Sequence, residues 1–478
     1  MNEQIQSMLA GINRRRALGT ITGGLGAMAF GSMLSADGPD GQGEPVTHHP
    51  AKAKRVIYLF QSGGPSQVDL MDYKPALNKL HGQDMFANVE QSSRLTGFTS
   101  EHKIHPIIDT QYKFKKRGEC GSWVSDLLPH MSGIVDDVCT IRGVSTKLVN
   151  HDPAMTFMQT GHNLAGRPSI GSWLSYGLGS MNRDLPDFVV LVSSGDLPTM
   201  QPLNSRLWGN GFLPGRHQGV RFRSGAEPVL YLNDPSGKSL TEKRRMLDTI
   251  NRLNAEELQR TGNPEIETRI AQYEMAFRMQ TSVPDLADLS DEPESTFDLY
   301  GSQARQSGSY AFNCLMARRL AERDVRFIQL YHSGWDHHFD LPSHLPKRCR
   351  ETDRATAALI TDLKQRGLLD DTIVIWGGEF GRTAFSQSGD VAKSYGRDHH
   401  ANCFTKIVAG GGFRAGLNYG ETDELSYRVV RDEVTVHDLH ATILNQLGID
   451  HERLTYLSQG RRYRLTDVEG HVVHGILA

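Results

Sequence analysis

Five short apolar runs constrain this chain more than any other feature: VIYLF at 56–60, VVLVS at 189–193, FIQLY at 327–331, TIVIW at 372–376 and FTKIVAG at 404–410. Each is a short continuous run, rich in β-branched and aromatic residues, and each is followed by a loop and a helical pattern. A strand that is apolar along its length has to be covered on both faces, the condition met by a largely parallel sheet between helices. The clearest unit is ETDRATAALITDLKQRGLLDDTIVIWGGEFGRT. In it Ala355, Ala358, Leu359 and Leu363 form an apolar helical stripe, Gly367 sits where a helix ends, and a strand follows. The pattern predicts an α/β fold built on a doubly wound, mostly parallel sheet sandwiched by helices. In such sheets ligands collect beyond the carboxyl ends of the strands.

The residues expected at those ends are of one chemical kind. VIYLF runs into QSGGPSQVD, with Ser66 and Asp69 as oxygen donors, and FIQLY into HSGWDHHFD, with Asp336, His337 and His338. TIVIW runs into GGEFGRT, with Glu379 and Arg382. GRDHHAN, with Arg397, Asp398, His399 and His400, directly precedes FTKIVAG, so it lies either at the other side of that strand or in a loop folding over it. Carboxylates and imidazoles in this mixture suit Zn, Mn or Fe, or Ca where oxygens dominate. Taken singly, a His-His pair is an ordinary solvated loop, Glu379 pairs with Arg382 across a turn, and GGPS is a strand exit. Their joint placement favours a divalent metal site, because independent loops need not choose the same rim. Arg382 and Arg397 could clamp the oxygens of a sulfate or phosphate, or neutralise the carboxylates beside them.

Composition bounds the partners. A chain of 478 residues with 38% hydrophobic content can bury a sizeable core. A formal charge of -3 and a pI near 6.7, with no block of like charge, exclude a general polyanion-binding field, so nucleic acid is not an expected partner. Cys120, Cys139, Cys314, Cys349 and Cys403 show no CxxC spacing, which excludes a zinc ribbon and a dense disulfide framework and leaves one or two bridges open. Near the N-terminus, Arg14-Arg15-Arg16 precedes ALGTITGGLGAMAFGSMLSA, a weakly apolar run with small residues before a cut after Ala36. Asn13 to Leu18 resembles a twin-arginine export signal, with Ala17 at the usual Phe. The run is too rich in Gly and Ser for a good spanning helix. Residues 1–36 are therefore expected to be a signal peptide and 37–54 a linker, the rest being periplasmic or extracellular with no stable membrane span. TEKRRMLDTINRLNAEELQ and PEIETRIAQYEMAFRMQ, parted by Gly262-Asn263-Pro264, predict a helical insertion around 240–282, followed by the acidic loop VPDLADLSDEPE.

Several motifs in matching order resemble the DUF1501 family: FQSGGPSQVDLMDYKP, GWDHH, LKQRGLLDDTIVIWGGEFGRT, GRDHH and the tail VTVHDLHATILNQLGIDHERLTYLSQGRRYRLTDVEGHVV. That family consists largely of exported bacterial proteins of unassigned activity and is placed in the alkaline phosphatase and sulfatase superfamily. The resemblance implies an alkaline phosphatase-like α/β domain over 55–478, with a metal site at the carboxyl edge of its central sheet. It also implies metal-dependent hydrolysis of a phosphate or sulfate ester, the substrate being a small anionic ester or a sulfated glycan and the metal Zn, Ca or Mn. In sulfatase-like members the corresponding strand ends in Ser-Asp-His-Gly, whose Asp and His bind metal. Gly378-Glu379-Phe380-Gly381 stands in that place here, and Phe380 cannot ligate, which implies a single metal or a rearranged pair. GWDHH resembles the Asp-and-His metal segment, and GRDHH the late His ligand. By resemblance, then, Asp336, His338, Glu379 and His399 are the core ligands, and Asp69, His337, Asp398 and His400 the second rank.

The nucleophile position departs from the superfamily's pattern. Sulfatases carry Cys-x-Pro-x-Arg ahead of a Thr-Gly, and phosphatases put Ser or Thr at the Cys. This chain reads NHDPAMTFMQTG, with His151 at that position, Pro153 matching the Pro and Met155 replacing the Arg. Asn150 and His151 are the candidates at this helix start. Neutral His151 could attack as a nucleophile, or it could ligate the metal or act as general base to water acidified by the cation. In a third outcome hydrolysis is lost, and an anion- or glycan-binding protein keeps the fold and a structural metal. The water mechanism ranks first because it needs no hydroxyl nucleophile, with Ser66 on its glycine turn as the fallback.

Overall fold

The computed structural model describes residues 47–92, 95–193, 203–223 and 239–478. The expected signal segment 1–36, with Arg14 to Arg16, lies outside the described residues, as does the linker up to residue 46. The elements that frame the sheet are, in chain order, β1 (Arg55–Gln61), β2 (Val138–Ser145), α1 (His151–Thr160), α2 (Ile170–Leu178), β3 (Phe188–Ser193), β4 (Val220–Phe222), α3 (Leu240–Thr261) and α4 (Pro264–Ala287). They continue with α5 (Tyr310–Glu322), β5 (Phe327–His332), α6 (Leu341–Gln365), β6 (Thr372–Gly377), β7 (Gly381–Ser386), β8 (Arg397–His400), β9 (Phe404–Ala409), β10 (Leu417–Tyr419), β11 (Val434–Thr435) and α7 (Val436–Gln446).

Among the described residues a nine-stranded sheet runs in the order β10-β2-β9-β6-β1-β5-β3-β4, with β11 beside β2. β1 lies parallel between β5 and β6, and β3 parallel between β5 and β4. β9 runs antiparallel to both of its neighbours, β6 and β2. Every residue of β1, β5, β6 and β9 is buried. Alternate side chains enter opposite layers. Ile57 and Leu59 join Leu315, Leu320, Leu359 and Leu363 of α5 and α6, while Val56, Tyr58 and Phe60 join Met155, Met158, Trp173, Leu174, Ile443 and Leu444 of α1, α2 and α7. Helical cover on both faces is why these strands read as unbroken apolar runs.

The chain departs from the sequence reading in four places. β2 is a central strand that the apolar runs do not reveal, because Arg142 and Gly143 interrupt it. Arg142 donates from Nη2 to Asn418 Oδ1 at 2.7 Å. A Cβ at Gly143 would come within 2.9 Å of the Asp432 carbonyl. α6 begins at Leu341, well before the stripe that announces it, and contains Pro346. α4 continues through Pro284 to Ala287, where an acidic loop is expected, because Val283 and Leu286 are buried in the core and hold the last turn against it. All five cysteines are free, so no bridge forms. No helix among the described residues is long and apolar enough to cross a membrane.

The antiparallel strand matters most for the site. β9 pairs Ile407 with Trp376 of β6, so its first residue, Phe404, lies at the end of the sheet where β6 finishes at Gly377. The segment before β9 therefore arrives at the same rim as those that follow β1, β5 and β6. β2 ends there too, Val144 pairing with Phe404, and leads into the start of α1.

Three buried histidines resist protonation in the folded chain. Burial pushes His217 and His440 down to about 3 and His400 down to about 4. An unfolded histidine titrates near ~6.5. Below that value the unfolded chain binds protons that the folded chain refuses, so stability falls as pH falls through this window. Urea midpoints at pH 7 and pH 5 are expected to show this loss, and His440→Gln, which keeps a donor for the Met158 carbonyl, should reduce it.

Candidate metal centre

The turn after β1 is pressed against the segment after β5. Gly63 has φ +119°, and a Cβ there would stand 2.5 Å from the Asp336 backbone nitrogen, so only glycine permits the approach. The Gly63 N–H donates to both oxygens of Glu379, at 3.0 and 3.2 Å. Glu379, fully buried after β6, in turn accepts from His151 Nδ1 at 2.5 Å. His151 opens α1.

Three imidazoles converge on one oxygen. Asp336 Oδ1 lies 2.9 Å from His338 Nε2, 3.2 Å from His151 Nε2 and 3.3 Å from His399 Nε2. The far nitrogen of each ring meets an acceptor. His399 Nδ1 donates to the Val149 carbonyl at 2.6 Å, His338 Nδ1 to Gln387 Oε1, and His151 Nδ1 to Glu379. An acceptor at Nδ1 fixes the proton there and leaves the Nε2 lone pair facing inward, the tautomer a metal ligand needs. The donor atoms of His151, Asp336, His338 and His399 all lie within 4.8 Å of one another, and His151 Nε2 is buried with Asp336 as its polar neighbour. This set fits a divalent cation. Phe380 packs its ring against His399 and His151, with centroids 4.5 and 4.9 Å away, so the side chain that cannot ligate walls in two that can.

The charges are arranged for an acid that stays ionised. Burial alone would raise the Asp336 carboxyl, but Arg382 and the three imidazoles outweigh it and hold the group well below the usual carboxylate range. Burial lowers His399 to about 3 against the pull of Asp336, with Arg382 and the neighbouring imidazoles adding to the fall. Burial also opposes a proton on His151, yet Asp336 and Glu379 together raise it. One carboxylate oxygen cannot keep three rings protonated, and His151 alone has a second carboxylate.

The remaining candidates stand outside the cluster. Asp69 pairs with Arg397 at 2.8 Å, both fully buried, and Ser66 donates to Asp69 at 2.6 Å, so neither faces the cluster. Asp398 accepts from the hydroxyls of Thr96 and Thr99 and from the His399 N–H. His400 Nε2 donates to the Tyr427 carbonyl at 2.8 Å. His337 is buried, its ring 6.4 Å from Trp335 and 6.0 Å from His344. Asn150 is the exposed residue before α1 and makes no side-chain cap. Arg382 donates to the carbonyls of Gly63, Gly64 and Arg397 and to Asp336, which occupies its guanidinium within the protein. Glu379 stands one layer back, behind His151.

Lys406 is the residue that sequence reasoning missed, although a lysine inside the apolar run FTKIVAG was a visible signal. It is fully buried, donates to the Tyr58 hydroxyl at 2.7 Å and lies over the Tyr58 and Phe60 rings. Burial pushes its amine down to about 7, against the pull of Glu379. Val149 and Gln387, which orient two of the imidazoles, carried no signal at all, one acting through its backbone and the other by a single amide.

Breaking a buried ion pair from one side costs about 3–5 kcal/mol. Arg382→Met is expected to lower unfolding stability by that order in denaturant melts. A loss confined to substrate affinity, with stability intact, would instead mark Arg382 as an anion clamp.

Among curated proteins none matches the chain. Solved structures similar to it include Ps i-CgsB in complex with k-i-k-neocarrahexaose, at 11% identity over 83% of this chain and 72% of that one, with a TM-score of 0.36. A protein of the alkaline phosphatase superfamily from Vibrio parahaemolyticus is similar at 11% identity over 86% and 70%, with a TM-score of 0.33. The alkaline phosphatase from the Antarctic bacterium TAB5 is similar at 11% identity over 83% and 98%, with a TM-score of 0.34. A family model described as "Protein of unknown function (DUF1501)" matches residues 53–477, a span that holds the whole sheet and every side chain of the cluster, and the chain belongs to that family.

Proposed function

We propose that this protein is a metal-dependent hydrolase of a phosphate or sulfate ester, with a single divalent cation held by His151, Asp336, His338 and His399. The observation that carries the reading is the convergence of three imidazole Nε2 atoms, each with its Nδ1 anchored, on Asp336 Oδ1. Three nitrogens and one carboxylate suit Zn or Mn better than Ca, which prefers an oxygen shell. A divalent ion in that seat would polarise an ester oxygen and acidify water at neutral pH.

The chain's own residues do the rest. Glu379 holds the Nδ1 proton of His151 and so keeps the opposite lone pair inward, and Arg382 keeps Asp336 ionised and aimed. Ser66 is only 1% exposed and turned to Asp69, which supports attack by water over attack by a side-chain hydroxyl. The substrate is a small anionic ester or a sulfated glycan. One observation favours a second reading, an anion- or glycan-binding protein with a structural metal: His151 stands where the superfamily's Cys, Ser or Thr nucleophile would be. The protein is proposed to act in the periplasm or outside the cell, on the strength of Arg14 to Arg16 and the apolar run after them.

Purified protein is expected to carry one Zn or Mn per chain and to hydrolyse at least one of 4-nitrophenyl phosphate, bis(4-nitrophenyl) phosphate and 4-nitrophenyl sulfate. A chelator should abolish turnover and added metal restore it, with His399→Ala inactive. Glu379→Gln should weaken metal affinity about 10–100-fold in a chelator competition, the usual effect of losing an outer partner of a metal-ligating histidine. Bound metal with no turnover of any ester would reject the hydrolase in favour of the binding protein. Replacing Arg14 and Arg15 together by Lys is expected to retain the protein in the cytoplasm on cell fractionation; unchanged export would remove the twin-arginine assignment.

A further inference from the structure

We propose that Phe98 is a specificity-determining residue of this site. Its ring forms a wall beside the cluster and takes the apolar face of an aryl or pyranose ring attached to the substrate's anionic group. The proposal rests on reading the cluster as a seat for an anionic ester.

Phe98 is 59% exposed, yet the loop that carries it is pinned on both sides. The hydroxyls of Thr96 and Thr99, both buried, donate to the same oxygen of Asp398, Thr99 at 2.7 Å. The Phe98 N–H donates to Thr96 Oγ1 at 3.2 Å, and His105 Nε2 donates to the Thr99 carbonyl at 2.9 Å. The backbone that carries the outward ring is therefore anchored on both sides. Asp398 also accepts the backbone N–H of His399 at 2.8 Å, so one carboxylate anchors both the loop and a residue of the cluster.

The ring stands against the cluster itself. Its centroid lies 5.0 Å from that of His338, with the two planes tilted by 46°. Phe339, the next residue after His338, is 64% exposed and gives the same segment a second apolar ring. Single exposed apolar residues are ordinary on a protein surface. One carried on an anchored loop and in contact with a candidate metal ligand is a different case. With Arg382 and Arg397 consumed inside the protein, the cation is left to hold the anionic group, and selection among substrates falls to what meets the rest of the molecule. An aromatic face does this by stacking, a contact worth up to about tenfold in affinity beyond the area it buries.

Calorimetry on metal-loaded protein with 4-toluenesulfonate and methanesulfonate tests the proposal, since these share a head group and differ by the ring. Toluenesulfonate is expected to bind about tenfold more tightly. Phe98→Ala should remove most of that preference and Phe98→Tyr keep it, with metal content equal in all three proteins. The proposal is overturned if neither sulfonate binds, if the parent does not discriminate, or if Phe98→Ala discriminates as the parent does. Loss of metal in Phe98→Ala would also overturn it, because the ring would then serve only to support His338. The preference is read without turnover, so a failure to hydrolyse any ester counts against the hydrolase alone.

Discussion

One carboxylate oxygen organises the centre of this protein. Asp336 Oδ1 is approached by His151, His338, His399 and Arg382. With their protons held on Nδ1, the neutral rings bring lone pairs toward a carboxylate, an arrangement that is stable only if positive charge is supplied nearby. Arg382 supplies part of it and fixes the carboxylate, while the inward lone pairs leave a seat for more. The arrangement costs desolvation of every group in it, and the surrounding carbonyls and amides offset that cost. Gly63, Gly64, Val149, Arg397 and Gln387 each give a donor or an acceptor to one member of the cluster or to its arginine.

The fold makes this crowding possible by bringing five segments to one rim. Parallel strands carry the ends of β1, β5 and β6 there as a matter of topology. The antiparallel strand β9 adds the segment before it, and β2 adds the start of α1. The outer hairpin of β7 and β8 then closes over the rim, pairing His399 with Arg382. Its two arginines serve as staples. Arg397 holds Asp69 and the carbonyls of Thr383, Ile108 and Asp109, and Arg382 holds the turn after β1. What looks in sequence like a pair of substrate clamps is the fastening of the site.

Legibility differed by kind of residue. The five apolar runs all became strands of one sheet, because strands covered on both faces are continuously apolar and these runs are short and rich in β-branched and aromatic residues. Asp336 and His338 were legible beyond a predicted strand, and the resemblance of GWDHH and GRDHH to the family's metal segments added His399 to them. Glu379 was legible as part of the site, but it stands behind His151 instead of beside the other three. The sequence could not reveal this, since a carboxylate two residues past a strand end serves either place. Asp69, Asp398 and His400 carry the same chemistry as the cluster and were ranked behind it by resemblance alone; their partners are Arg397, two threonine hydroxyls and a backbone carbonyl. β2 was illegible because its polar and glycine positions are satisfied by distant residues, Asn418 and the Asp432 backbone.

By itself the sequence determined the layered α/β architecture, the family, and the rim on which the acidic and imidazole side chains would gather. These follow from local apolar patterning and from motif order, which short segments carry intact. Only the tertiary structure decided which of those side chains meet. Membership of the cluster turns on where β9 runs, on the approach that Gly63 allows, and on which buried charge finds a partner elsewhere. Such pairings join residues hundreds of positions apart, and in a buried site the partner, more than the residue type, decides whether a carboxylate or an imidazole remains available.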